Sequence, residues 1–328
     1  MPEQKDYHKI KAVSSHSLGY FEESPLTFKK FMEEELEQDD KRYLDFGRQV
    51  HMRILEPKLF KESYTVLNYE LPKSEQQKTF CTVYVENPHL QKQDRLILAY
   101  TTAYSTKGKS DDKILQEAED MYNKIKDYLT YLTKAKKYKE VLTFAKKQKI
   151  DTCFTNTYNH KLANELLFDK EIPDPGVQSY NELEILWEHP LYKNVPCKSM
   201  IDRLIIDTNN KIIKLVDIKT TISLRKFKES VYTFNYHRQM AFYTMAIYWY
   251  IKNVLNIDVE DFKFEVYIVA IKNAQPHDVK VYKFDDDILN KGLDEIAYLM
   301  NKIAWHFDTD LWEYSREYYE GNGLDKLE

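Results

Sequence analysis

Residues 215–221 read LVDIKTT. A strand alternates its faces with period two, so Asp217 and Lys219 share one face and Ile218 takes the other. The stretch therefore asks what an acid and an amine do side by side on an apolar strand. Part of the answer lies upstream. Strands are expected at about 181–188, 197–206 and 212–219, joined by the turns HPLYKN (189–194) and DTNN (207–210). Asp and Asn suit such turns because they tolerate left-handed backbone and bond locally. A hairpin of the last two strands brings Asp202, in SMIDRLII (199–206), beside Asp217.

Two clustered carboxylates repel unless a cation sits between them. Mg²⁺ or Mn²⁺ prefers hard oxygen ligands and keeps waters for chemistry. A neighbouring lysine can orient the attacking water and offset charge on a pentavalent phosphate. These parts suit phosphodiester hydrolysis. A D-x-K triplet alone is common and carries little; the hairpin acid before it and the helix after it add weight. That helix spans LRKFKESVYTFNYHRQMAFYTMAIYWYIKN (224–253). The strands FKFEVYIVAI (262–271) and VKVYKF (279–284) follow, and DDILNKGLDEIAYLMNKIAWHF (286–307) closes as a helix. Such an order is a mixed α/β pattern.

Toward the N-terminus, Ser17 and Ser24 are expected caps, the latter with Pro25 in the first turn. In YLDFGRQVHMRILEP (43–57), Phe46, Val50 and Ile54 form one helical stripe ended by Pro57. Residues 61–120 are harder to read. TFCTVYV (79–85) and RLILAYTTA (95–103) look strand-like, and STKGKSDD (105–112) marks the clearest candidate boundary, with 61–120 as an insertion. Residues 113–149 read as one or two helices, with nine lysines between Lys124 and Lys149. A solvated face and a DNA-facing ridge both account for them. YNHKLANELLF (158–168) reads as a short helix, and residues 320–328 as a frayed tail.

Composition sets bounds. The 328 residues carry a net charge of −5 and only 7 glycines, without a GxxxxGK[ST] phosphate loop. Mild acidity does not by itself suggest nucleic acid, so any DNA contact needs a local basic face. Cys81, Cys153 and Cys197 are scattered and fit a reducing, cytoplasmic compartment. No apolar h-region or membrane span is visible.

The order of motifs resembles the PD-(D/E)XK nuclease superfamily in its RecB-like branch. It is most similar to the nuclease domain of exodeoxyribonuclease VIII (RecE) and its phage and prophage relatives. SLGYFEESPLTFKKF (17–31) resembles the family's opening segment. FGRQVHMRILEP (46–57) resembles its G-x-x-x-H helix, with Gly47 and His51 matching. CKSMIDRL (197–204) matches the strand of the first metal-binding acid, Asp202. VDIKTT (216–221) supplies Asp217 and Lys219, and HRQMAFY (237–243) matches the Q-x-x-x-Y helix through Gln239 and Tyr243.

The resemblance implies a restriction-endonuclease-like α/β core, its mixed central sheet flanked by helices with helical additions, in a single nuclease domain. It implies Mg²⁺ or Mn²⁺ held by His51, Asp202, Asp217 and the Ile218 carbonyl, with Lys219 positioning the nucleophile. Gln239 and Tyr243 would contact phosphate or support Lys219, or only pack. A further family acid falls on Glu182 or Glu184, the register favouring Glu182. The implied substrate is linear double-stranded DNA, digested from 5′ ends to feed recombination by a single-strand annealing partner, with rings of identical subunits around DNA. Met200 departs from the pattern where relatives carry a basic residue; Lys198 or Arg203 could replace that phosphate contact. Cys197 is expected to pack rather than ligate.

Overall fold

The computed structural model describes residues 7, 9–36, 42–67, 71–134, 140–169 and 174–324. Two compact units divide the chain: Met1–Glu56 with Thr152–Glu328, and Pro57–Asp151.

The first unit opens with α1 (Ser17–Glu23), α2 (Pro25–Met32) and α3 (Arg42–Leu55). Ser24 caps α2 as expected, accepting from the Thr27 N–H, with Pro25 in the first turn. Ser17 is not a cap. It is the first residue of α1, and its hydroxyl donates to the Ser14 carbonyl instead. On α3, Val50 and Ile54 are buried and Phe46 is partly so.

The second unit holds α4 (Pro57–Ser63), β1 (Tyr64–Leu67), α5 (Glu75–Glu86), α6 (Lys92–Ala103), α7 (Asp111–Lys134) and β2 (Glu140–Thr143). β1 and β2 pair in parallel. The two segments expected as strands are the helices α5 and α6. A capping box between Ser74 and Gln77 starts α5. Phe80, Cys81 and Tyr84, with Leu96, Ala99 and Tyr100 on α6, recur at helical spacing and pack with α7 in one apolar cluster. Packing of that face overrides the strand preference of Thr79, Val83 and Val85. The expected boundary at 105–112 is the connection between α6 and α7, inside this unit. Lys136, Lys137 and Lys139 of the lysine run lie outside the described residues, as do 325–328 of the expected tail.

The chain continues through α8 (Phe144–Asn159) and α9 (Lys161–Leu167) into the sheet: β3 (Val177–Glu188), β4 (Pro196–Asp207) and β5 (Ile212–Thr221). Helices α10 (Phe227–Thr233) and α11 (Tyr236–Asn253) lead to β6 (Lys263–Lys272) and β7 (Val279–Lys283). α12 (Asp286–Thr309) and α13 (Arg316–Glu320) close the chain. In this five-stranded sheet β3 to β7 lie in sequence order; β5 and β6 pair in parallel, and the other neighbours pair antiparallel. A parallel pair needs a long crossover, which α10 and α11 supply. Leu204, Ile206, Ile213, Leu215, Ile268 and Ala270 share one core with Met240, Phe242 and Ile247 of α11 and Ile296, Met300 and Ile303 of α12. The hairpin thus packs on the helix of Gln239, as the sequence leads one to expect.

Two irregularities place the site. The β3–β4 ladder lapses at Glu182 and Asp202, between the Asn181–Arg203 and Leu183–Ile201 pairs. Glu182 adopts φ 47°, a left-handed conformation unusual for its residue type. Both strands change face there. Core-facing residues are Leu204 and Ile206 on one side of Asp202, but Ile201, Ser199 and Cys197 on the other. The second irregularity is divergence. β4 pairs with β5 only as far as Arg203–Val216, while β5 stays paired with β6 to Thr221.

Candidate metal centre and active site

Where β4 leaves β5, the Ile218 N–H has no strand partner on that side. Asp202 Oδ2 accepts it at 2.8 Å. The same oxygen lies 3.3 Å from His51 Nδ1. His51 comes from α3, whose Gly47 rests against β5 so closely that a Cβ would meet Thr220 Oγ1 at 3.0 Å. Ligand atoms of His51, Glu182 and Asp202 all lie within 4.8 Å of one another, and all three side chains are partly buried. Of the two candidate acids, Glu182 joins this cluster and Glu184 does not.

The charges explain what the cluster needs. Burial pushes the Glu182 carboxyl up to about 9, and the negative charges of Asp202, Glu56 and Asp217 push the same way. Asp202 is also raised by burial, against the pull of Lys219 and the Ile218 N–H. Burial, helped by the Lys219 charge, lowers His51 to about 4, against Asp217 and a hydrogen bond to the Ile218 backbone. Its contact with Asp202 is thus one between a neutral imidazole and a carboxyl group. A neutral imidazole with convergent, mutually repelling carboxyls is a donor set that a divalent cation satisfies. The oxygen-rich composition fits Mg²⁺ or Mn²⁺.

Asp217 stands apart from the close cluster. Burial raises its carboxyl to about 6, countered first by Lys219. Lys219 Nζ lies 2.8 Å from Asp217 Oδ2, at an angle that leaves this oxygen without a well-aligned hydrogen bond. Lys219 is held charged, well above the usual lysine range, because Asp217 and Asp202 outweigh its burial. The expected sharing of one face by Asp217 and Lys219 is realised as direct contact. Of the expected site residues, His51, Glu182 and Asp202 form the close cluster, and the expected ligand Asp217 lies outside it.

Gln239 Nε2 donates to Tyr243 Oη at 3.0 Å, one helical turn apart. Burial and the charge of Asp217 raise the Tyr243 phenol to about 12, while Lys219 and a hydrogen bond to Ser15 lower it. Gln239 therefore supports Tyr243, and Tyr243 faces the charged centre. Neither proposed stand-in for a basic residue at Met200 is free. Lys198 donates to the Tyr7 and Ile10 carbonyls at 3.2 and 2.6 Å. Arg203, 3% exposed, binds Asn181 Oδ1 and Asp169 Oδ1. Backbone carbonyls and carboxylates in reach satisfy these cations before any phosphate does. Cys197 packs in the core, its thiol donating to the Val195 carbonyl.

Sequence reasoning missed three neighbours. Glu56 adds to the repulsion on Glu182. Ser15 bonds Tyr243. The Tyr236 ring lies 5.1 Å from Lys219 Nζ. A cavity of about 500 Å³ lined by Glu22, Tyr298, Lys302, His306 and Arg316 contains none of the cluster residues.

A helix-flanked mixed sheet whose strands part over an acid–histidine cluster, with Asp-Ile-Lys on the departing edge, is the PD-(D/E)XK-like nuclease fold. The chain belongs to the family described as PDDEXK-like domain of unknown function (DUF3799), whose model matches residues 14–317. A crystal structure from Eubacterium rectale, described as "Putative exonuclease", is similar over 99% of this chain and 93% of its own, at 13% identity and a TM-score of 0.48. No curated protein matches the chain.

Proposed function

We propose that this protein is a Mg²⁺-dependent exodeoxyribonuclease that digests linear double-stranded DNA from its 5′ ends. The observation that carries hydrolysis is the meeting of His51, Glu182 and Asp202 ligand atoms within 4.8 Å, with Asp202 on β4, the strand next to the β5 strand that holds the Asp217–Lys219 contact. The exonuclease mode, its direction, a ring of identical subunits and a single-strand annealing partner in phage-type recombination rest on the sequence resemblance to exodeoxyribonuclease VIII. In this reading the chain is one nuclease domain in which the unit Pro57–Asp151 is an insertion.

His51, Glu182 and Asp202, with Asp217 and the Ile218 carbonyl in reserve, would hold a divalent cation, which would supply Lewis-acid polarisation of the phosphodiester and lower the pKa of water. Lys219 steers the attacking water and offsets the charge that gathers on the pentavalent phosphate. Asp217 holds the Lys219 ammonium in place. Gln239 fixes the Tyr243 hydroxyl facing the same centre. Water adds to phosphorus, the bond to the 3′ oxygen breaks, and that oxygen leaves with a proton, giving a 5′-phosphate product.

The test compares linear duplex, labelled at each end in turn, with a covalently closed circle, in Mg²⁺, Mn²⁺ and chelator. Release of nucleotides from the 5′ label of linear DNA alone is the expected result. Cutting of the closed circle would make the protein an endonuclease, and release from the 3′ label would reverse its direction. Binding without cleavage in either metal would leave a DNA-binding protein on a nuclease fold.

A further inference from the structure

Beyond the charged centre, a row of aromatic rings runs from the core to solvent. Tyr282 stacks on the buried Phe227 at 4.9 Å, Phe227 on Tyr236 at 6.0 Å, and Tyr236 meets Phe234 at 5.8 Å. The row is anchored at its inner end, where Tyr282 Oη donates to the Leu224 carbonyl at 3.0 Å. Its third ring is the one lying 5.1 Å from Lys219 Nζ. Its last ring, Phe234, is 62% exposed.

The backbone holds Phe234 outward. It is the C-cap of α10, its N–H donating to the Ser230 carbonyl, and Asn235 follows with φ 54°. This left-handed residue breaks the helix that the sequence leads one to expect across 224–253. The Asn235 carbonyl then accepts from Gln239 N–H as α11 begins. This junction thus presents an exposed aromatic face one ring contact from the Tyr236 ring that meets Lys219. Exposing such a ring forfeits the gain of burying it.

We infer that Phe234, backed by Tyr236, is a stacking platform for an unpaired nucleobase of the strand being hydrolysed. This inference rests on the nuclease reading above and adds the form of the substrate: a terminal nucleotide separated from its complement. The occupant follows from continuity with the charged centre: the Tyr236 ring lies 5.1 Å from Lys219 Nζ and 5.8 Å from the Phe234 ring, so a nucleotide with its phosphate at Lys219 would turn its base toward these rings. Every base offers a π-face, so the platform is tolerant of sequence. Phe234 is a positioning residue, since it touches the base and not the reacting phosphate.

The test uses the full chain in Ca²⁺ with a short single strand carrying 2-aminopurine near its 5′ end, and then Mg²⁺ cleavage of linear duplex. Wild-type protein should quench the 2-aminopurine, and Phe234→Trp should keep the quench. Phe234→Leu, which keeps apolar bulk without a π-face, should lose it, with affinity falling about five- to a hundred-fold. Duplex cleavage by Phe234→Leu should slow comparably, and two mismatched terminal pairs should restore much of it. Equal quenching and cleavage by wild type and Phe234→Leu would overturn the platform while leaving the nuclease intact. A Phe234-dependent quench without cleavage by wild type would instead overturn the nuclease reading. A melting curve for each variant separates either outcome from misfolding, and Phe234→Ala provides a second truncation should Phe234→Leu melt early.

Discussion

Asp202 accepts the Ile218 N–H at 2.8 Å where β5 has lost β4 as a neighbour, and the same oxygen faces His51. One carboxylate closes a main-chain hydrogen bond and belongs to the candidate ligand cluster. Substitution can separate those two roles.

Asp202→Asn keeps an acceptor oxygen for Ile218 and removes the charge that burial disfavours. It should melt at or above wild type without added metal, yet cleave at least about 100-fold more slowly, as removal of a major electrostatic group does. Asp202→Ala leaves the Ile218 N–H without a partner, a cost of about 1–3 kcal/mol. Melts of both variants beside initial rates in Mg²⁺ decide the matter. Wild-type cleavage by a folded Asp202→Asn protein would remove Asp202 from the site.

Lys219→Ala should bind DNA in Ca²⁺ and lose about 100-fold or more in single-turnover cleavage. Lys219→Arg should not restore the rate, because a planar fork cannot stand in for a compact ammonium. Stability should change too. The buried Asp217 loses its counter-charge and becomes easier to protonate, so Lys219→Ala should melt higher at acid than at neutral pH. Adding Asp217→Asn should remove the part of that pH dependence that Lys219→Ala introduced, leaving the contributions of Glu182 and His51. A near wild-type rate for the alanine variant would make Lys219 structural.

The third expectation concerns pH. Glu182 has a folded-state pKa of about 9, above its ordinary value of 4.5. Its contribution to stability is complete below the ordinary value and is lost as pH rises toward 9. Asp217 acts in the same sense from 3.8 to about 6. His51 acts oppositely: with a folded pKa of about 4 against 6.5, its contribution is present above 6.5 and lost as pH falls through 4. Cation binding must displace protons from the acids, so the rise in Tm caused by Mg²⁺ or Mn²⁺ should grow between pH 5 and pH 9. Glu182→Gln should flatten that growth. A metal-induced shift equal at both ends of the range would contradict the assignment of Glu182 as a ligand.

Lys124, Lys126 and Lys149 are exposed among the described residues of the lysine run, whereas Lys147 is occupied by Asp151. If the run tracks a DNA backbone, Lys124→Gln, Lys126→Gln and Lys149→Gln together should weaken binding alike on all sequences. The slope of log affinity against log salt should fall by about 2–3, since each phosphate contact contributes about 0.9. An unchanged slope returns these lysines to a solvated face.

The sheet was legible because period-two alternation and turn chemistry are local: the strands before and after DTNN appear close to where LIID and IIKLVDIKTT put them. The face change at Glu182 and Asp202 was also written in the sequence. Core alternation runs through Cys197, Ser199 and Ile201, then resumes on Leu204 and Ile206, and that slip of one residue marks the site. Helices α5 and α6 were hidden by β-branched and aromatic residues, although Ser74 and Gln77 carried a capping box. No spacing rule could reveal that Asp169, Asn181 and the carbonyls of Tyr7 and Ile10 occupy Arg203 and Lys198, because those contacts join distant stretches of chain. The contact of Asp217 with Lys219 was legible in the period of the strand, but the place of Asp217 outside the close acid cluster was not, because it depends on where β4 turns away from β5.

Asn181 Nδ2 donates to the Leu55 carbonyl at 2.8 Å, tying together positions 126 residues apart. His51 and Glu182 thus sit near the two ends of one long loop. Loop-closure entropy grows only logarithmically, by about 0.6 kcal/mol per doubling of length. Lengthening or trimming the intervening chain costs the centre little in equilibrium, while its most distant contacts must wait for the whole loop to be made. A ribosome releases His51 long before Glu182, Asp202 and Lys219, so the nascent polypeptide has no complete cation cluster until the β4 segment has emerged, and no Lys219 beside it until β5 follows. Synthesis itself withholds the hydrolytic centre until the central sheet can form.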